Sequence, residues 1–161
     1  MLTLAEINFF LAAKKNAISV IDWRPGISKK DAQWWNWDSA LEVGGIVSEG
    51  TRIIMQWRTA VGAASSKYSC VLLYQTERIY AVDFAPDGQH TNKVGKGRPY
   101  FGKRFGPGTH EHTWSDDGDG YAEPIGDFKD FAALFAHFCA KTNIEVVGGF
   151  RPPPWHQPEL I

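Results

Sequence analysis

Apolar and polar positions change their period twice along the chain. Leu4, Ile7, Phe10 and Leu11 recur at helical spacing, and Thr3-Leu4-Ala5-Glu6 ahead of them has the spacing of a capping box. The pattern predicts a helix running to about Lys15. From Thr51 the period becomes two. Ile53, Met55 and Trp57 alternate with Arg52, Gln56 and Arg58; Tyr68, Cys70, Leu72 and Tyr74 alternate with Ser69, Val71 and Leu73; a third run follows at Arg78-Ile79-Tyr80-Ala81-Val82-Asp83-Phe84. These runs predict a three-strand antiparallel meander whose middle strand is covered on both faces. The small-residue loop Gly62-Ala63-Ala64-Ser65-Ser66 joins the first two strands, a tight turn at Gln75-Thr76 joins the last two, and Pro86-Asp87-Gly88 closes the third. Helical spacing returns after Asp127, read as the cap of a helix whose Phe128, Phe131, Phe135 and Phe138 form a stripe to dock on the sheet. Asn143 is the expected stop, and Val146-Val147 an edge strand.

Three stretches carry neither period. Residues 21–40 hold Arg24-Pro25-Gly26 and then Gln33-Trp34-Trp35-Asn36-Trp37-Asp38, and are read as a Trp-rich excursion. Its indoles either anchor a long loop on the sheet or offer Trp34, Trp35 and Trp37 to a partner. Residues 85–108 are read as a long basic surface loop, and such loops are usually functional or disordered. Residues 151–161 form a proline-rich tail of polyproline character. Within the tract that follows the basic loop, a short fourth strand would put His110 and His112 on one face and Glu111 on the other.

Composition fits this pattern. At 161 residues, 43% apolar and 14% aromatic, the chain can bury one core, so a single α+β domain over 1–161 is expected, with N- and C-terminal helices on a mostly antiparallel sheet. A net charge of −1 excludes a surface devoted throughout to nucleic acid and leaves room for a local basic patch. Cys70 and Cys139 form no metal or redox motif and are read as buried free thiols, which suits a reducing compartment. No basic-then-apolar signal pattern opens the chain, and no stretch reaches eighteen apolar residues. The expectation is a cytoplasmic protein without a membrane partner.

Candidate chemistry lies between Lys93 and Gly120. Lys93, Lys96, Arg98, Lys103 and Arg104 are interleaved with glycines and with Tyr100, Phe101 and Phe105, a combination of phosphate-neutralising charge and stacking rings that suits single-stranded nucleic acid. The alternative is a solvated loop whose cations offset the acidic segment after it. His110-x-His112 could supply a general acid and a general base, with Lys103 or Arg104 steadying a phosphate and Tyr100 or Trp114 stacking a base. The same spacing could begin a metal site, with Asp116, Asp117, Asp119 or His90 as further ligands, but no third ligand is fixed and neither metal nor cofactor is assigned. Asp117-x-Asp119-Gly120 lacks the later ligands of a calcium loop. No serine-hydrolase elbow, P-loop or dinucleotide fingerprint is present.

The stretch from Arg78 to Asn143 resembles a family of short bacterial and phage-associated proteins. The likeness rests on the strand Arg78-Ile-Tyr-Ala-Val-Asp-Phe, the segment Gly88-Gln-His-Thr-Asn92, the His-x-His tract followed by an aromatic, and the capped Phe-rich helix. The family has no settled activity, so the resemblance implies the order of elements and the interest of His90, His110 and His112, and no mechanism.

Two functions are therefore expected of the chain. The first is a small binding or regulatory protein, associated with a phage or mobile element, that engages a protein or nucleic-acid partner. The alternative is a toxin-type endoribonuclease using His110 and His112 as acid and base.

Overall fold

The computed structural model describes residues 1–26, 34–58, 66–86 and 88–153. Its elements in chain order are α1 (Leu4–Ala12), β1 (Lys15–Ala17), β2 (Arg24–Pro25), β3 (Trp34–Val43), β4 (Ile46–Arg58), β5 (Lys67–Tyr74), β6 (Glu77–Ala85), β7 (His90–Thr91), β8 (Arg104–Phe105), β9 (Gly108–Ser115), β10 (Gly118–Pro124), α2 (Phe131–Thr142) and β11 (Ile144–Val146). The main sheet runs β10-β9-β6-β5-β4-β3-β1-β11, with β2 paired to β3. All its pairs are antiparallel except β1 with β11. The expected meander is its centre, β4-β5-β6, and the histidine tract is its fourth antiparallel neighbour, β9. The two helices pack on the sheet, forming the α+β domain that the pattern implies.

Strand alternation decides what each face carries. One cross-strand row runs Trp37–Met55–Cys70–Val82–Glu111, and a neighbouring one runs Ser39–Ile53–Leu72–Tyr80–Thr113. With Ile7, Phe10, Leu134, Phe135 and Phe138 from the helices, the apolar members of these rows belong to the core. Tyr68 stacks on Phe131 at 4.6 Å, and Trp57 meets the same ring edge-on at 4.2 Å. The intervening residues face the other way, where no described helix covers them.

Residues 21–40 need correcting. The stretch from Trp34 is not a loop: Trp34–Val43 is a central strand of the sheet, flanked by β4 on one side and by β1 and β2 on the other. Indoles at odd positions therefore enter the core, where Trp35 and Trp37 are 5% and 2% exposed. The Trp37 ring N–H donates to the Val20 carbonyl at 2.8 Å. Three indoles in four positions obscured a period of two because Trp34 sits on the opposite face. Residues 27–33, 59–65 and 154–161 lie outside the described residues, so the small-residue hairpin loop and most of the proline tail cannot be compared with expectation.

Element ends follow local chemistry. Thr3 and Glu6 form the expected capping box, but α1 stops at Ala12, three residues early. Lys15 is the reason: its ammonium is buried and donates to the carbonyls of Leu11, Ala13 and Thr142. One charge thus satisfies carbonyls at the C-terminal ends of both helices, where a cation is favoured. The cap of α2 is Asp130, not Asp127; its carboxylate accepts from the Ala133 N–H at 2.9 Å. Asn143 ends α2 in the left-handed conformation, as expected, and the edge strand begins earlier than read, at Ile144. Gln75 and Thr76 both take positive φ, the conformation a two-residue hairpin requires.

Removal from water lowers the Lys15 pKa from 10.5 to about 8. Between those values the unfolded chain holds a proton that the folded chain releases, so this residue's contribution makes stability rise with pH across that window. The stability difference between wild type and Lys15→Met should grow from pH 8 to 10, read from urea midpoints at each pH. At pH 7, Lys15→Ala should lower unfolding free energy by about 2–4 kcal/mol, because three carbonyls lose their donor.

Candidate active site

The chemistry gathers on the helix-free face. The row there reads Asn36–Gln56–Ser69–Asp83–His110, one residue from each of five adjacent strands. His112 lies two positions further along β9, on the same side. The segment between β6 and β9 folds over this end of the sheet, and its β7–β8 ribbon brings in His90 and Phe105. Of these, Gln56, Ser69, Asp83, His90, Phe105, His110 and His112 line a cleft of about 300 Å³ whose other walls include Trp34, Lys67 and Gly88; Asn36 is not among its walls.

Asp83 is the hub. The His112 Nε2 lies 2.9 Å and the His110 Nε2 3.5 Å from the same carboxylate oxygen, and the Ser69 hydroxyl also donates to Asp83. Burial alone would raise this carboxyl's pKa; the hydrogen bonds from His110, His112 and Ser69, with the charge of His112, outweigh it and hold the group well below the carboxylate range. An ionised carboxylate only accepts, so the nitrogen that His112 turns towards it carries a proton.

The three imidazoles are thereby given different tasks. His112 has its Nε2 on Asp83, and its Nδ1 is buried without a partner among the described residues; the side chain is only 6% exposed. Its Nε2 is committed to Asp83, although the ring is part of the cleft wall. The His110 side chain is 15% exposed and reaches Asp83 only at the longer distance. The His90 ring is 6.1 Å from that of His110. His90 is held by Asn92, a buried amide whose orientation is fixed: its nitrogen donates to the Tyr100 and Ala122 carbonyls at 2.9 and 2.7 Å, and its oxygen accepts from the Ala122 N–H at 2.7 Å. That oxygen also meets the His90 Nε2 at 3.1 Å, so His90 is the donor there. Burial is the main influence lowering the His90 pKa, aided by His112 and His110 and opposed by Asn92 and the Gly120 carbonyl.

Ligand atoms of Asp83, His110 and His112 lie within 4.8 Å of one another, the one such His/Cys/Asp/Glu group among the described residues. A metal would need both Nε2 atoms bare. The His112 proton would then move to Nδ1, where no described residue accepts it, whereas metal-bound imidazoles almost always donate their outer N–H to an acceptor. Leaving that N–H unpaired costs about 1–3 kcal/mol. The donor types suit a metal ion, and among the described residues none accepts from the outer nitrogen of His112.

The remaining sequence candidates disperse. Arg98 stacks on the Tyr121 ring at 3.6 Å and donates to Thr113 and Ser115, so it is spent on anchoring the loop. Gly95 approaches that same ring so closely that a Cβ would sit 2.3 Å from it, with φ +84 besides. The Gly95 and Lys96 N–H groups donate to Asp117, and Arg78 pairs with Asp119, so these acids serve the loop's attachment. Lys93, Lys103 and Arg104 are exposed, outside the cleft lining, and Tyr100 packs on Phe105. Lys96, Arg98 and Trp114 line a separate cavity of about 650 Å³ beside α1. Trp34 alone of the three clustered indoles faces the cleft. Glu111 faces the helices and accepts from the Tyr80 hydroxyl at 2.6 Å, with His137 of α2 at 3.7 Å.

Sequence reasoning missed Asp83 as the partner of His110 and His112, and Ser69, Gln56 and Lys67 as walls of the same cleft. One signal was present: Asp83 is the lone acid inside an apolar strand run, at the parity opposite to Tyr80, Val82 and Phe84. Comparison of the chain with family models, with curated proteins and with solved structures finds no match.

Because the folded pKa of Asp83 lies below its unfolded value of about 3.9, its ionised form stabilises the fold above that pH and the contribution is lost as pH falls below about 4. Wild type should therefore lose stability on acidification more steeply than Asp83→Asn in a pH series of urea midpoints. Equal slopes would mean that the three donors do not hold the carboxyl ionised.

Proposed function

We propose that the cleft is a metal-independent acid–base site for cleaving single-stranded RNA, with His90 and His110 as the proton-transfer pair. The observation that carries this is the division among the three imidazoles that line the cleft: His112 is committed to Asp83 and only 6% exposed, while His90 and His110 are more open, with ring centres 6.1 Å apart. His90, with its lowered pKa and its Nε2 proton given to Asn92, takes the proton of the ribose 2′-hydroxyl on Nδ1 as that oxygen attacks phosphorus. The bond from phosphorus to the 5′-oxygen breaks, and that oxygen receives a proton from His110. A 2′,3′-cyclic phosphate and a 5′-hydroxyl result, and the proton count balances. Lys67 supplies positive charge at the cleft in place of the exposed loop cations.

This differs from the expected pairing of His110 with His112, whose ring is committed to Asp83. The expectation of an indole interface is weakened, because Trp35 and Trp37 are in the core.

His110→Ala and His90→Ala should each slow cleavage of a fluorogenic oligoribonucleotide by about 10²–10⁴-fold. His90 must be unprotonated to act, so kcat/KM should fall as pH drops through an apparent pKa below the ordinary histidine value, and His90→Ala should lose that limb. Full cleavage by both variants, or none by wild type on any RNA, would refute the assignment.

A further inference from the structure

The polar row that ends at His110 continues away from it. Ser69, Gln56 and Asn36 follow Asp83 on successive strands, and the adjacent row carries Lys67, Arg58 and Trp34. At about 4.8 Å per strand, Asn36 lies about 19 Å from His110 along the row. Trp34, Gln56, Lys67 and Ser69 belong to the same cleft as the histidines. This face is polar, as the open face of an antiparallel sheet usually is, and no described helix covers it.

We infer, building on the RNA-cleavage assignment, that this row is a substrate track: a single-stranded ribonucleotide chain lies across the strands, its backbone beside Lys67 and a base stacked on Trp34. The chemistry along the row fits each part of a nucleotide. Lys67 offers a phosphate a mobile cation. Trp34 is half-buried and presents its ring to the cleft, which suits sequence-tolerant base stacking. The Gln56 side-chain nitrogen donates to the Asn36 side-chain oxygen at 3.1 Å, which sets side by side two amides of the kind that can meet a base edge. The track runs perpendicular to the strands, so its spacing is set by the sheet and not by loop conformation. It also explains why the loop cations singled out in the sequence lie elsewhere: the positive charge beside the scissile bond comes from the β4–β5 pair.

The test separates binding from cleavage. Fluorescently labelled 2′-O-methyl trinucleotides and hexanucleotides lack the attacking hydroxyl and cannot be cleaved by this chemistry, so their anisotropy reads the track alone. Wild type should bind the hexamer more tightly than the trimer. Trp34→Ala should weaken binding about tenfold, and Lys67→Ala should weaken it severalfold and reduce the salt slope by about 0.7. Lys93→Ala, on the exposed loop, should leave both unchanged. Circular dichroism of each variant checks the fold, and Trp34→Phe, which keeps a stacking ring, should retain most of the affinity. Binding with these effects but without cleavage of ordinary RNA would uphold the track and refute the catalytic assignment. Cleavage or binding that Trp34→Ala and Lys67→Ala leave unchanged would overturn the track, as would no binding by wild type.

Discussion

A carboxylate set into the middle of a sheet face has to be paired, and the pairing of Asp83 organises this end of the molecule. Its donors come from the strands on either side: Ser69 on β5, His110 and His112 on β9. Removing a partner from such a group exposes the survivor to the full cost of desolvation, so the three strands are bound in register by charge as well as by backbone hydrogen bonds. The same carboxylate decides what the histidines are for. By accepting the His112 Nε2–H it commits that ring, leaving His110 and His90 as the less committed imidazoles of the cleft.

The division of labour between sheet faces follows from alternation alone. On β9, Glu111 points to the helices and meets Tyr80 and His137, while the residues on either side of it point to the cleft. A one-residue slip of β9 would put two imidazoles under α2 and a carboxylate beside Asp83, so core and site fix the register together. Lys15 does comparable work for the helices, since a single ammonium joins the ends of α1 and α2 beside β1.

Much of this was legible in the sequence. Period two at Ile53–Trp57, Tyr68–Tyr74 and Arg78–Phe84 gave the sheet's centre, and the Phe-rich helix and its Asn143 stop were readable because propensity and packing agree there. The parity of His110, His112 and Glu111 also came directly from spacing. The Trp-rich stretch was hidden because two buried indoles and one half-buried indole look alike in a list of residues, and only cross-strand register separates them. Asp83 as the partner of the histidines depended on pairing between strands nearly thirty positions apart, which periodicity does not encode. The loop cations misled for a related reason: Arg98 is used on Tyr121, and the charge that lines the cleft, Lys67, sits at the start of a strand.

The most direct test is the protonation of the histidine rings in ¹⁵N-labelled protein, read from long-range ¹H–¹⁵N spectra at neutral pH. The account predicts a protonated Nε2 on His112, with Asp83→Asn perturbing that ring more than His90. A bare His112 Nε2 with the proton on Nδ1 would contradict it: the ring would then be free to ligate a metal, and the division among the three imidazoles on which the cleavage chemistry rests would fail.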